Sequence, residues 1–312
     1  RCATSAAVST LRPMTDYGHE LRFGVSLDPS VPRLAEAYEL ARDAEAAGLD
    51  FVAVQDHPYQ PDYLDTLSLL EAVALRTERI GLFTDVLDLA LRPPTMAAKT
   101  AASLAVLTGR RIDLGVGGGG FPQGITSMGG QRRTPGQTIT YTEESLHVLR
   151  HALEGGKVRL LSTEHRIEGY QAGPVADPRP NVYLGAQHRR MLGVVGRASD
   201  GWVSPLNIYV PPEEVLWRQE LIDDAARSVG RDPSDVRRIY NVIGYIGNAT
   251  RGTGLIGDAQ LWADTLSSWA TDLGYDTFAY WPLGHTRSQL EVFTSQVVPA
   301  VRAQVREIRR SR

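Results

Sequence analysis

Residues 48–57 read GLDFVAVQDH. A glycine closes one amphipathic stretch, a short apolar run follows, and the run stops at a polar Gln-Asp-His triplet. Such a run is too short for a helix and apolar on both faces, which is the signature of a strand buried in a parallel sheet. Upstream, residues 32–47 carry Leu34, Ala37, Tyr38, Ala41 and Ala44 at the helical period, preceded by a strand over 22–27 (RFGVSL). Downstream come a helix over 64–77, a strand over 79–86 (RIGLFTDV), and a helix opened by Pro93 and Pro94 with Met96, Thr100, Leu104 and Leu107 on one face. A fourth strand over 111–116 (RIDLGV) runs into Gly117–Gly120.

Residues 118–137 are rich in Gly, Gln and Thr and too long for an ordinary strand-to-helix loop. A helix over 138–154, a hairpin over 157–168 and a proline-bearing linker over 173–180 follow. Strands over 181–186, 201–204, 238–246 and 277–281 then alternate with helices over 188–198, 213–229, 258–273 and 286–306. Eight strands and eight helices in order predict an α/β fold, a (β/α)8 TIM barrel with an insertion after strand 4. The single domain spans 21–312, and residues 1–20 read as a disordered leader or cloning remnant.

The 312 residues are 42% apolar and 22% charged, the profile of a globular chain rather than a disordered one. Thirty-three Lys and Arg against 36 Asp and Glu give a net charge of −3, which argues against a nucleic-acid partner. No apolar run nears the roughly 20 residues that span a bilayer. The single cysteine, Cys2, rules out an internal disulfide and fits the cytoplasm.

Barrel chemistry gathers at the C-terminal ends of the strands. There the sequence places Asp56, His57 and Tyr59 after strand 2; Thr84, Asp85 and Val86 at the end of strand 3; Gly117, Gly118 and Gly119 after strand 4; Gly185, Ala186, Gln187 and His188 after strand 5; and Trp281 after strand 8. A metal hydrolase needs several converging ligands, and only Asp56, His57, Asp85 and His188 qualify, so no metal is expected. A G-x-S-x-G nucleophile elbow is absent. The glycine run lets backbone approach a planar or anionic ligand, or is simply a flexible entrance to the loop. The 185–188 turn opens a helix, whose free N–H groups suit a phosphate. His57 beside Asp56 is placed for proton transfer, although neighbouring strand residues point to opposite faces.

The motifs GLDFVAVQDH (48–57), TERIGLFTDV (77–86), RPPTMAAKTAASL (92–104), RRIDLGVG (110–117) and PNVYLGA (180–186), with the tail over 262–282, resemble the bacterial luciferase-like monooxygenase superfamily in order and spacing. The resemblance covers about 21–300 and implies an oxidoreductase that uses reduced FMN or coenzyme F420 for hydride transfer or monooxygenation of a small organic substrate. A non-catalytic flavin-binding relative is the alternative. The resemblance implies His57 as the catalytic group, and Asp56, Thr84, Asp85, Val86, Gly117–Gly119 and Gly185–His188 as cofactor contacts. A cis peptide at Asp85–Val86 is expected, with Tyr59 and Trp281 framing the substrate. A homodimer through helices near strands 2 and 3 and a separate cofactor-reducing enzyme are the implied partners, and a sugar phosphate is disfavoured as substrate.

Overall fold

The computed structural model describes residues 16–248 and 252–311. The strands are β1 (Arg22–Leu27), β2 (Phe51–Val54), β3 (Gly81–Asp88), β4 (Ile112–Gly117), β5 (Gly156–Leu161), β6 (Arg166–Ala172), β7 (Asn181–Gly185), β8 (Gly201–Ser204), β9 (Arg237–Ile246), β10 (Leu255–Gly257) and β11 (Thr277–Pro282). All but β5, β6 and β10 form a parallel barrel, closed where β9 pairs with both β8 and β11. This is the (β/α)8 architecture expected from the alternation. The helices are α1 (Leu34–Ala46), α2 (Thr66–Ala74), α3 (Pro94–Thr108), α4 (Pro122–Ser127), α5 (Pro135–Glu154), α6 (Arg189–Ala198), α7 (Leu216–Ser228), α8 (Ala259–Thr271), α9 (Thr286–Val292) and α10 (Val298–Arg310). Among the described residues no helix is long and apolar enough to cross a membrane.

Local chemistry sets several helix ends. Asp65 caps α2 by accepting from the Ser68 N–H, and Asp258 does the same for α8 through Leu261. Thr134 and Gln137 form a reciprocal capping box, so α5 starts at Pro135 rather than at 138. The expected face of α3 is corrected: Leu104 is buried among alanines 97, 98, 101, 102 and 105, whereas Met96 and Leu107 face outward. Small side chains let this helix lie close to the barrel. The insertion after β4 holds α4 and the β5–β6 hairpin, and the last helix is interrupted by a π-type turn at Phe293–Val297.

The barrel interior is filled in levels. At the amino-terminal end Arg22 donates to Asp113 at 2.6 Å, and Asn181 donates to the same carboxylate at 2.8 Å. Above them Phe51, Phe83 and Tyr183 pack edge to face, with ring centroids 5.6 and 6.0 Å apart. Ala53, Val203, Ile239 and Ala279 complete that cluster. Residues 1–15 of the expected leader lie outside the described residues. Residues 16–20 are tied to the body: Tyr17 donates to Asp223, and Arg309 donates to Asp16 and to the His19 carbonyl.

Burial alone would raise the pKa of Asp113, but Arg22, Arg111 and the Asn181 amide hold it below the usual carboxylate range. Replacing Asp113 by Ala strands a buried Arg22, so Asp113→Ala is expected to cost about 3–5 kcal/mol, read from urea unfolding.

Candidate functional site

At the carboxyl ends of the strands the barrel opens into a cleft of about 520 Å³, a volume suited to a mid-sized ligand. Its walls come from every part of the sequence singled out above: His57, Asp85 and Val86 on one side, Gly117–Gly119 and Gly185–His188 on another, and Trp281 at the rim. Asp56 and Thr84 do not line it. Asp56 is 4% exposed and turned outward, where Arg92 reaches it through two hydrogen bonds of 2.9 and 3.0 Å and the Asp88 N–H donates at 2.9 Å. Arg92 also holds Asp65, so this pair of carboxylates fastens β2 to the start of α2. Thr84 is buried and donates to the Gly115 carbonyl on β4 at 2.7 Å.

The strand pleat explains the division. Ala53 faces the barrel interior, and alternate positions carry the direction on to Gln55 and His57, leaving Asp56 outside. Nδ1 of His57 and the Tyr59 hydroxyl share a 2.7 Å hydrogen bond, and the Tyr59 ring packs on Phe121 with centroids 5.1 Å apart. Tyr59 therefore stands beside the histidine, not on the cleft wall, and Phe121 brings the insertion into contact with it. Burial lowers the pKa of His57, partly offset by the Asp56 charge, so the imidazole is neutral at neutral pH.

The Asp85–Val86 peptide is cis, as expected. The Val86 methyls stand where a Cβ on Gly117 or Gly185 would come within 3.0 and 3.2 Å. A Cβ on Gly118 would meet the Thr142 hydroxyl at 2.5 Å, and Gly119 has φ +92°, a conformation that favours glycine. The glycine run is thus a wall of bare backbone. Ala186 is pinned from behind by Trp202, whose Nε1 donates to its carbonyl at 2.8 Å. α6 begins at Arg189 after His188, which makes no side-chain cap, and its first turn holds no acid, leaving its N–H groups free beside Arg189 and Arg190.

Asp85 is 7% exposed and its pKa is pushed by burial up to about 7, against the lowering effect of the Asn241 hydrogen bond. Asn241, Gln55, Met191 and Tyr209 also line the cleft and escaped the sequence reading. Asn241 was hidden because β9 runs ten residues and its mouth-level residue lies mid-strand, not near Gly247 where the run ends. The signal was there: a lone Asn inside YNVIGYI. A smaller chamber of about 290 Å³ shares Gln55 and Trp281 with the cleft and is walled by Asp28, Arg33 and Ile243.

Comparison with known proteins agrees with this geometry. The description of the luciferase-like monooxygenase family matches residues 15–251. A 5,10-methylenetetrahydromethanopterin reductase of Methanolobus tindarius is 33% identical over 69% of this chain and 63% of its own length. An F420-dependent glucose-6-phosphate dehydrogenase of Mycolicibacterium fortuitum is 30% identical over 72% of this chain and 68% of its own. The chain thus aligns with about two thirds of the length of these curated relatives. In three dimensions, an F420-dependent secondary alcohol dehydrogenase solved with an F420–acetone adduct superposes with a TM-score of 0.80 at 17% identity, covering 91% of this chain and 99% of that one. At that identity the likeness speaks for the fold, and the sequence match over three quarters of the chain settles the kinship: this chain belongs to the luciferase-like monooxygenase family.

Proposed function

We propose that the chain is an oxidoreductase that uses coenzyme F420, or FMN in the second reading, to act on a small organic substrate. The observation that carries this is one cleft in which a wall of bare glycine backbone, the bulge where β3 shifts register between Thr84 and Leu87, and the uncapped start of α6 meet. The relatives similar in sequence include an F420-dependent dehydrogenase, which favours F420. The described residues fit such a group. Gly117–Gly119, Val86 and Gly185 leave room for a flat ring, and Ala186–His188 with the first turn of α6 offer N–H donors to an anionic tail. When bound, the ring supplies hydride transfer, or oxygen chemistry in the flavin case.

The protein's own part is placement and proton handling. His57, neutral and partnered at Nδ1 by Tyr59, exchanges a proton with substrate at Nε2. Phe121 and Tyr59 draw the insertion over the mouth and restrict water there. None of the described residues lining the cleft is Lys or Arg, which favours an uncharged carbonyl or alcohol over a sugar phosphate. The chain works in the cytoplasm, supplied by a separate cofactor-reducing enzyme, and as a homodimer. For the dimer, Leu75 at the end of α2 and Val106 and Leu107 on α3 are 86%, 52% and 81% exposed, apolar side chains that a partner copy would cover.

Titrating the apoprotein with F420 and with FMN, followed by ring fluorescence, is expected to give micromolar binding of F420. Binding of FMN alone would move the reading to flavin chemistry, and binding of neither would end it. His57→Ala should bind the cofactor as the wild type does while kcat falls by roughly 10²–10⁴. Because its pKa is lowered, wild-type kcat/KM should hold through mildly acidic pH and fall only below the usual imidazole range, and His57→Ala should lose that limb. Leu107→Asp should convert the dimer to monomer in sedimentation.

A further inference from the structure

Asn241 fixes the chemistry of the residue opposite it. Trp281 Nε1 can only donate, and at 3.0 Å it donates to the Asn241 side-chain oxygen. The amide orientation is thereby set, and Asn241 Nδ2 turns to Asp85 Oδ1 at 3.0 Å and to the Ser204 carbonyl at 3.2 Å. Asp85 Oδ1 is therefore an acceptor. A proton on Asp85 sits on Oδ2, and Oδ2 is a buried atom with no hydrogen-bond partner. A buried donor without an acceptor is costly, so the acceptor belongs to whatever fills the cleft that Asp85 borders.

Few charges compete for this carboxyl. The other titratable side chains lining the cleft are His57 at the end of β2, His188 in the turn before α6 and Tyr209 in the segment after β8, and none hydrogen-bonds to Asp85. Across the neighbouring β4, Asp113 is paired with Arg22 at the opposite end of the barrel. We propose that Asp85 is a neutral hydrogen-bond donor, through Oδ2, to an acceptor atom of the group bound in the cleft, and that the Asn241 bridge carries its state of charge to Trp281 at the rim. The donor role rests on the reading that the cleft holds a flavin or deazaflavin ring, whose carbonyl-bearing edge offers such acceptors. The sign follows from burial: Asp85 is neutral below about pH 7 and a carboxylate above it, so a rising pH replaces the donor by an anion and weakens binding.

Asp85→Asn is the isosteric test, because an amide there keeps an acceptor towards Asn241 and a donor at the Oδ2 position at every pH. Binding of oxidised F420 and oxidised FMN is measured on both proteins at about pH 6 and about pH 8.5. The cofactor's own titration cancels in the ratio of the two affinities. Wild-type affinity is expected to drop roughly tenfold relative to Asp85→Asn across that range. A ratio that stays constant overturns the donor role. In the apoprotein, the emission of Trp281, taken as wild type minus Trp281→Phe, is expected to titrate near pH 7 and to be flat in the Asp85→Asn background. Emission that does not titrate in the wild type overturns the bridge. If neither probe binds either protein, the ring reading of the cleft fails and takes the donor role with it, while the Trp281 titration still decides the bridge.

Discussion

Space inside an eight-stranded parallel barrel is the limit that everything else in this molecule obeys. Where one strand sends a large ring inward, its neighbours have no room for a side chain at the same height. Here Phe51 is paired in register with Gly24 on one side and Gly81 on the other, and Tyr183 with Gly115 and Gly201. A Cβ on Gly24 would run into the Phe51 ring, and one on Gly201 would meet Tyr183 at 2.7 Å. These aromatic–glycine triplets permit one register only, because a slip of one residue would put ring against ring or glycine against void. With register fixed, the strand ends stand in a defined ring, and the cleft is the space above that filled level.

The alternation of apolar runs with helical periods was enough to read the barrel, because each barrel strand is buried on both faces and each helix has a stripe to bury. Elsewhere local pattern and tertiary demand diverge. On α3 the large apolar residues Met96 and Leu107 look outward and alanines look inward, since proximity to the barrel is rewarded more than side-chain size. α4 and β10 are short elements in glycine-rich sequence, stabilised by contacts that a linear pattern does not reveal.

Much of the site could be located from strand ends alone, since a closed barrel brings them together whatever their spacing in sequence. What sequence could not tell was direction. Asp56 and His57 are adjacent, yet one is locked outward by Arg92 and the other stands in the mouth, a consequence of the pleat that only the register of β2 resolves. Asn241 escapes a strand-end search for the opposite reason: β9 overshoots the rim, so its cleft-lining residue is not at its end.

The contact of Phe121 with Tyr59, and of Tyr59 with His57, has an evolutionary corollary. In many barrels specificity can drift in the loops while the chemical machinery on the strands is left alone. Here the loop that shapes the entrance also leans on the partner of the histidine. A graft of that loop from a relative would import a changed imidazole environment together with a new entrance, so the two are inherited as a linked pair.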